Sequence, residues 1–302
     1  MRASLIRCCL ALLGLCLWQP LYAGEPLSLR VMTFNLMCPV CGWSDYGRWG
    51  LRQGGLIASL REGQPDLLST QELITPGNLE IVREALPRLD PYYLKRGVPL
   101  LDAVLWVDRE RFEVLAQGGF WVSDTPDAAI GFNETLSVPR VVIWLRLRDR
   151  PTGTTFVLVG LHLDNNRHNK PPAVTLLRER LPQLGALPLI VAGDFNIQTG
   201  SPLMPKLLGS TPPVLVDSYD LASERRLLGV PSGVVERACK DFIQTPYPDC
   251  RIDHVLVDAH AGWRAGQHTL DMRRLGPTGN FASDHRALWV DLVLPLPPAP
   301  RP

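Results

Sequence analysis

Apolar residues in this chain fall into short runs whose spacing is typical of β-strands. Alternation or continuous apolarity predicts strands at 27–36, 66–71, 92–95, 103–107, 112–115, 141–147, 156–161, 189–192, 251–257, 263–270 and 287–294. Three segments have helical spacing instead, namely 51–62, 78–89, which is broken at Pro87, and 174–184. Because strands outnumber helices and helices separate only some of them, the pattern predicts an α/β protein. Its sheets are expected to be mixed, stacked face to face and covered by helices.

The first 23 residues have the composition of a signal peptide. Arg2 and Arg7 precede an apolar stretch at 8–18, and Ala23 offers a small residue before a cleavage point. The apolar stretch is shorter than the roughly 20 residues that a membrane span needs. We therefore expect a secreted or periplasmic protein without a transmembrane span in the mature chain. An uncleaved membrane anchor is the alternative.

The rest of the chain is predicted to form one catalytic domain at 24–294, followed by a Pro-rich tail at 295–302. No repeat and no Gly/Ser-rich linker divides this domain, and we expect a monomer. The formal net charge is +1, and it becomes about −1 if Arg2 and Arg7 leave with the leader. Such a chain lacks the positive charge that gives non-specific affinity for nucleic acid, although a bound metal could supply it locally.

Four cysteines remain outside the leader, and an even number in an exported chain indicates disulfides. We expect Cys239 to pair with Cys250 across a short loop, with Cys38–Cys41 as the second pair. One alternative is a zinc site in which both pairs converge. Another is a thiol oxidoreductase built on Cys38 and Cys41. The residues at 43–45 do not resemble the start of a helix that would lower a thiol pKa.

Short polar clusters stand at the ends of several predicted strands. They are Thr33-Phe34-Asn35, Gln71-Glu72, Leu161-His162-Leu163-Asp164, Gly193-Asp194-Phe195-Asn196 and Ser283-Asp284-His285. Since they are spread over about 250 residues, only folding can bring them together. Carboxylates, carboxamides and imidazoles are the groups with which a protein binds a divalent metal and hydrolyses a phosphate ester. The pattern therefore predicts an active site at a shared rim of the sheets.

Asp194 and Asn196 lie two residues apart, so their side chains share one face if the segment is extended. In that case Asp194 orients or deprotonates an attacking water, and Asn196 holds a phosphate oxygen as a neutral donor. The alternative is an Asx turn that closes the strand.

His162 and His285 are the candidate imidazoles. A protonated imidazole can stabilise charge that develops on a phosphate oxygen, and it needs an acidic partner to hold its tautomer and raise its pKa. For His162 we predict Asp102, which precedes the strand at 103–107. Arg140 is a further candidate for binding a phosphate oxygen, although an arginine on the face of a strand or helix is the simpler interpretation.

Five motifs together resemble the endonuclease/exonuclease/phosphatase superfamily, which includes deoxyribonucleases, inositol polyphosphate phosphatases and neutral sphingomyelinases. In the order of the chain they are Phe34-Asn35, Gln71-Glu72, Gly193-Asp194-Phe195-Asn196, Arg251-Ile252-Asp253-His254 and Ser283-Asp284-His285-Arg286. The resemblance covers residues 29–294. It implies a four-layer α/β/β/α sandwich with the active site at one rim.

The resemblance also implies roles for particular residues. Glu72 would bind Mg2+, with Mn2+ as a possible substitute, aided by Asn35 and Asp284, and Asp253 would be the acidic partner of His285. The expected activity is metal-dependent hydrolysis of a phosphate ester by in-line attack of an activated water.

We expect a nuclease-like phosphodiesterase acting on nucleic acid. A phosphodiesterase acting on a phospholipid headgroup, of the sphingomyelinase kind, and a phosphomonoesterase are the alternatives. A non-catalytic binding protein on the same fold is a remoter one.

Overall fold

The computed structural model describes residues 25–41, 46–95, 101–128, 139–209, 214–230 and 250–296. These residues contain thirteen strands and five α-helices. The strands are β1 Leu27–Asn35, β2 Leu67–Ile74, β3 Leu89–Tyr92, β4 Leu101–Asp108, β5 Phe112–Trp121, β6 Val141–Asp149, β7 Thr155–His162, β8 Leu189–Asp194, β9 Leu215–Asp217, β10 Ala222–Leu228, β11 Asp253–Asp258, β12 Arg264–Asp271 and β13 Leu288–Leu294. The α-helices are α1 Trp49–Gly63, α2 Glu80–Ala85, α3 Lys170–Arg180, α4 Leu203–Leu208 and α5 Ser218–Leu221. Short 3-10 helices cover Pro76–Leu79, Leu181–Leu184 and Pro277–Gly279.

The strands form two mixed sheets. One has seven strands in the order β10-β12-β13-β1-β2-β4-β3, and the other has six in the order β5-β6-β7-β8-β11-β9. β1 runs parallel to β2 and antiparallel to β13, while β7 runs parallel to β8 and β8 runs antiparallel to β11. The prediction of mixed sheets is therefore confirmed.

Buried side chains divide into three clusters that define the layers. The largest lies between the sheets and includes Leu105 and Leu158, one from each sheet. A second cluster joins the seven-stranded sheet to α1 and α2, and Trp106 is its largest fully buried member. A third joins the six-stranded sheet to α3 and α4, for example through Leu177 and Leu207. This arrangement confirms the expected α/β/β/α sandwich.

Some element boundaries differ from the predictions. The predicted helix at 78–89 is wrong in extent, because α2 ends at Ala85 and Leu89 already begins β3. Pro87 has no N–H and disfavours a helical conformation in the residue before it, which explains the early end. The strand predicted at 92–95 lies at Leu89–Tyr92. The predicted helix at 174–184 is α3 followed by a 3-10 turn.

Four short elements were not predicted, namely α4, β9, α5 and β10. β10 stands at one end of the seven-stranded sheet and exposes Glu224, Arg225 and Arg226. A strand of this kind lacks the apolar alternation that would reveal it in a sequence. Charged side chains are common on such edge strands.

The predicted leader at 1–23, Cys239 of the predicted Cys239–Cys250 pair and most of the tail at 295–302 lie outside the described residues. The domain limits of 24 and 294 stay predictions. Within the residues described, no helix combines the length and the apolar character needed to cross a bilayer.

Strand register brings the polar clusters to one rim of the sandwich. Asn35 pairs with Gln71 across the parallel strands β1 and β2, and His162 pairs with Asp194 across β7 and β8. Asp253 opens the antiparallel strand β11 opposite Asp194. The carboxyl ends of four strands and the amino ends of their antiparallel neighbours therefore meet at the same place.

A fully buried arginine of α1 fixes the loops at this rim. The Arg52 guanidinium donates hydrogen bonds of 2.9–3.3 Å to the carbonyl oxygens of Leu36, Met37, Cys38, Gly47 and Ala282. Burial lowers the pKa of Arg52, and the charges of Asp284 and Glu72 oppose this effect. One side chain thus connects the loop after β1 to the loop before β13.

We predict that Arg52→Leu lowers the free energy of unfolding by about 3 kcal/mol or more, because several buried carbonyls lose their donor at once. Urea denaturation measures the change. Arg61→Leu, at an exposed position of the same helix, serves as the control and should stay within about 0.5 kcal/mol of the wild type. Equal stability of the two variants would show that the Arg52 hydrogen bonds do not stabilise the fold.

Candidate active site

Glu72 projects from an irregular end of β2. The register with β4 shifts between Gln71 and Ile74, and both Glu72 (φ 66°) and Ile74 (φ 63°) have left-handed backbone conformations. Such conformations are uncommon outside glycine and often occur at functional sites. The Glu72 carboxylate accepts a 2.9 Å hydrogen bond from Asn35 Nδ2 and a 2.7 Å bond from the backbone N–H of Cys38. Its position is thus fixed from two sides.

Asn35 joins the carboxylates of the two sheets. Its Nδ2 donates both to Glu72 and, at 3.1 Å, to Oδ2 of Asp194. The N–H of Met37 donates to Asn35 Oδ1 at 2.9 Å, which determines the orientation of the fully buried amide. In this arrangement Asn35 orients both carboxylates, and its role as a metal ligand stays a prediction.

Asp194 lies at the centre of the rim and is 1% exposed. Its Oδ2 lies 3.3 Å from His162 Nε2 and 3.6 Å from His285 Nε2. Burial alone would raise the pKa of Asp194, but the two imidazoles and the Asn35 amide outweigh it and hold the pKa far below its usual range. A carboxylate with so low a pKa is a weak base, so it is better suited to orienting a water than to removing its proton early.

Asp102, Arg140 and His162 form one buried group on this rim. His162 Nδ1 lies 3.0 Å from Asp102 Oδ1, as the sequence predicts, and Arg140 Nη1 donates to the same oxygen at 2.8 Å. Burial lowers the pKa of His162 and the Arg140 charge adds to this, but the charge of Asp102 and the hydrogen bonds to Asp102 and Asp194 raise it to about 9. His162 is therefore protonated at neutral pH.

Arg140 is buried rather than displayed on a strand face. Its Nη1 lies 2.9 Å from His162 Nδ1 in addition to its bond with Asp102. The charge of Arg140 also interacts with the charges of Asp194 and Asp164. Its predicted role in binding substrate stays a prediction.

His285 forms the second imidazole–carboxylate pair. Its Nδ1 lies 2.9 Å from Asp253 Oδ2. One ring nitrogen of His285 and one carboxylate oxygen each of Asp253 and Asp194 lie within 4.8 Å of one another, so this group could also hold a metal ion. Burial would lower the pKa of His285, but the charges of Asp253 and Asp194 raise it well above 6.5. Ser283 Oγ donates to the Asn35 carbonyl at 2.7 Å and accepts from the His285 N–H, which anchors this loop to β1.

The segment after Asp194 is not extended, so the predicted shared face of Asp194 and Asn196 is wrong. Asn196 has a left-handed backbone (φ 51°), and its N–H donates to Asp194 Oδ1 at 2.8 Å. This is the Asx turn that the sequence left as the alternative, since Asn tolerates this conformation. The Asn196 side chain donates to the carbonyl of Leu163 at 2.9 Å.

The carboxylates predicted to bind the metal differ from the others in their partners. Within the described ranges, Glu72 and Asp284 form no ion pair, whereas Asp102, Asp194 and Asp253 each pair with an imidazole. The hydrogen-bond donors to Glu72 are neutral, and the charge of Arg52 acts on it without an ion pair. A hard divalent cation, which prefers oxygen ligands and one or two carboxylates, fits this donor set.

Lys170, at the start of α3, belongs to the neighbourhood of the site although the sequence analysis did not select it. The charges of Asp194 and Asp164 act on its ammonium group, but burial outweighs them and lowers its pKa. Asp164 is itself buried and accepts a hydrogen bond from Asn169. A single lysine after a loop carries no pattern that could have identified it.

A buried polar network supports the rim, and the sequence analysis did not predict it. His254 packs edge-on against Phe195 and also bridges Asp217 (2.8 Å) and the carbonyl of Ile197 (3.1 Å). Arg251 pairs with the same Asp217 at 3.1 Å. These contacts fix the loop after β8 against β11, which carries Asp253.

Comparison with known proteins gives structural likenesses only. No family model matches the sequence, and no curated protein sequence matches it. An endonuclease/exonuclease/phosphatase family protein from Bacteroides thetaiotaomicron is 24% identical, with a TM-score of 0.73 over 90% of this chain and 100% of that chain. A mannosyl-6-phosphatase from the same organism is also 24% identical, with a TM-score of 0.70 over 87% and 99%.

The human Nocturnin catalytic domain is more distant. It is 21% identical, with a TM-score of 0.63 over 89% of this chain and 93% of that domain. At these identities the likeness establishes the fold. The chain therefore has the fold of endonuclease/exonuclease/phosphatase proteins.

We predict that Asp102→Asn lowers the pKa of His162 from about 9, because the imidazolium loses a negative neighbour while Arg140 remains. NMR titration of the imidazole measures this. Asp108→Asn, at the other end of β4, is the control and should leave the pKa of His162 unchanged. An unchanged pKa in Asp102→Asn would show that Asp102 does not stabilise the imidazolium.

The same pair predicts a pH dependence of stability. The folded pKa of His162, about 9, exceeds the ordinary 6.5. Its protonation therefore stabilises the fold fully below pH 6.5, and this contribution is lost as the pH rises through 9. Urea denaturation across this range should show the decline in the wild type and a smaller decline in Asp102→Asn. An equal decline of stability with pH in the two proteins would show that the Asp102–His162 pair does not cause it.

Proposed function

We propose that this chain is a metal-dependent phosphoric ester hydrolase of the endonuclease/exonuclease/phosphatase type, acting on phosphodiesters with a nuclease-like activity. The observation that carries the proposal is the convergence of His162 and His285 on Asp194. Each imidazole presents Nε2 to this one carboxylate, and each is paired through Nδ1 with a carboxylate of its own. The fold likeness supports the same reading.

The proposed reaction is a single in-line displacement. Asp194 orients a water whose oxygen bonds to phosphorus, and the bond from phosphorus to the ester oxygen breaks on the opposite side. The proton of the water passes to Asp194 late in the step, and the leaving oxygen takes a proton from one imidazolium. The other imidazolium donates a hydrogen bond to a phosphate oxygen.

Asp102 and Asp253 hold the two imidazoles in their protonated form and orientation. Asn196 is proposed to donate to a phosphate oxygen, and Arg140 adds positive charge beside His162.

Glu72 and Asp284, with Asn35, are the residues that would hold Mg2+ or Mn2+. When bound, such a cation supplies positive charge to the phosphate and the leaving oxygen. The protein's own contribution is to hold the Glu72 carboxylate in place through the Asn35 amide and the Cys38 N–H.

The phosphate ester is proposed to be a nucleic acid, with a phospholipid headgroup as the alternative diester. A TDP2 structure with single-strand DNA product is among the fold neighbours. A phosphomonoester is the second candidate, because the ammonium group of Lys170, on which the charge of Asp194 acts, would offset the extra charge of a monoester. The mannosyl-6-phosphatase neighbour favours it as well.

We also propose that the chain is exported, with residues 1–23 as its signal peptide. The disulfide between Cys38 and Cys41 supports this, since disulfides persist mainly in oxidising compartments.

The first test is an activity panel in Mg2+ with plasmid DNA, sphingomyelin, a chromogenic phosphodiester and mannose 6-phosphate. We expect phosphodiester hydrolysis, and we expect His285→Ala and Asp194→Asn each to lower kcat by about 10³-fold. His260→Ala, at an exposed position, is the control. Turnover of sphingomyelin without nicking of plasmid would replace the nuclease assignment, and no turnover of any substrate would favour a non-catalytic binding protein.

The second test concerns the metal. Glu72→Gln should weaken Mn2+ binding, measured by electron paramagnetic resonance, on the order of tenfold or more, and raise the Mg2+ concentration needed for activity. Glu84→Gln, an exposed carboxylate on α2, is the control. Unchanged Mn2+ affinity in Glu72→Gln would remove Glu72 from the metal site.

A further inference from the structure

A disulfide lies directly against the Glu72 carboxylate. Cys38 and Cys41 are bonded, with Cα atoms 5.1 Å apart. The two sulfurs and a Glu72 oxygen all lie within 4.8 Å of one another. The Cys38 N–H donates to the same carboxylate at 2.7 Å. Sulfur atoms therefore adjoin an oxygen ligand proposed for a hard cation.

We propose that reduction of this disulfide creates a site for zinc, or another thiophilic divalent cation, formed by Cys38, Cys41 and Glu72. The zinc site would use the Glu72 carboxylate, which in the proposed function binds Mg2+ or Mn2+. Competition between zinc and Mg2+ or Mn2+ for Glu72 therefore rests on the proposed function, whereas zinc binding itself does not.

The donor set matches the known preferences of zinc. Zinc binds thiolates at about 2.3 Å and carboxylate oxygens at about 2.0–2.2 Å, and two cysteines separated by two residues are a common ligand pair. Three atoms already within 4.8 Å need only small side-chain rotations to reach one ion. Three protein ligands leave a fourth position open to water. Mg2+ prefers oxygen alone, so the reduced site discriminates in favour of zinc.

The backbone holds the two cysteines together independently of the bond between the sulfurs. The Cys41 N–H donates to the Cys38 carbonyl at 3.0 Å, and Arg52 donates to the carbonyls of Met37 and Cys38. After reduction the turn keeps its shape, so the thiols stay beside Glu72. Cys38 is buried and Cys41 is partly exposed, which makes the Cys41 sulfur the point of attack for a reductant.

A dithiol can reduce the disulfide between Cys38 and Cys41. The dithiol supplies two electrons and two protons, the bond between the cysteine sulfurs breaks to give two thiols, and the dithiol becomes a disulfide. Each thiol releases its proton when it binds zinc. A thiol oxidoreductase is not supported here, because α1 begins only at Trp49 and neither cysteine lies at its start.

The experiment is a zinc titration of the full chain against a colorimetric chelator, before and after reduction with a dithiol that is then removed without air. Reduced wild type should bind one zinc more than the reduced double variant Cys38→Ser/Cys41→Ser, and oxidised wild type should not bind this ion. All samples retain Cys239 and Cys250, so zinc bound there cancels in the comparison. Glu72→Gln should weaken the additional zinc on the order of tenfold or more.

Cobalt gives a second, spectroscopic readout of the same comparison. Reduced wild type titrated with Co2+ should gain more near-ultraviolet absorption from cobalt–thiolate bonds than the reduced double variant, and the oxidised protein should not gain it. Equal zinc binding by wild type and the double variant, or an unchanged affinity in Glu72→Gln, would overturn the proposal.

Activity measurements separate this inference from the proposed function. If the chain is a hydrolase, zinc should inhibit the reduced protein in Mg2+ much more than the oxidised protein. Binding of the additional zinc by a chain that hydrolyses no phosphate ester would support the zinc site and contradict the proposed function. Hydrolysis of a phosphate ester in Mg2+ without binding of the additional zinc would support the proposed function and contradict the zinc site.

Discussion

The two hydrogen bonds donated by the Asn35 amide are the contact on which the site depends. One reaches Glu72 at the end of a strand in the seven-stranded sheet, and the other reaches Asp194 at the end of a strand in the six-stranded sheet. The two carboxylates repel each other, because both are negatively charged and both adjoin the same amide nitrogen. A neutral donor between them offsets that repulsion and joins the layers where the chemistry would occur.

Electrostatic pairing governs the rest of the rim. Asp194 remains ionised despite its burial because two imidazolium groups and an amide face it, and each imidazolium remains charged because a second carboxylate stands on its other side. Such alternation of charge is stable only when every member is held in place. The rigid strands hold most members, and the Ser283 and Arg52 hydrogen bonds hold the loops.

The sequence predicts much of this arrangement, but it does not predict features that depend on local backbone geometry or on contacts between distant segments. The long strands reveal themselves by their apolar runs, and the polar clusters at their ends reveal a rim because parallel strands end together. The pairing of His162 with Asp102 follows from the same logic. The turn at Asn196 and the irregular end of β2 depend on local backbone geometry, which hydrophobic spacing does not encode. Arg140 was a candidate from the sequence, but its contact with Asp102 and the interaction of Lys170 with Asp194 join segments that only the fold brings together.

One end of the seven-stranded sheet carries a strand whose side chains at Glu224, Arg225 and Arg226 all face solvent. Among the described residues no further strand pairs with β10, and an unpaired sheet edge is a template for a strand from another molecule. Charges in a row along β10 oblige any incoming strand to displace their hydration shells. Self-association through continuous β-structure is thereby disfavoured.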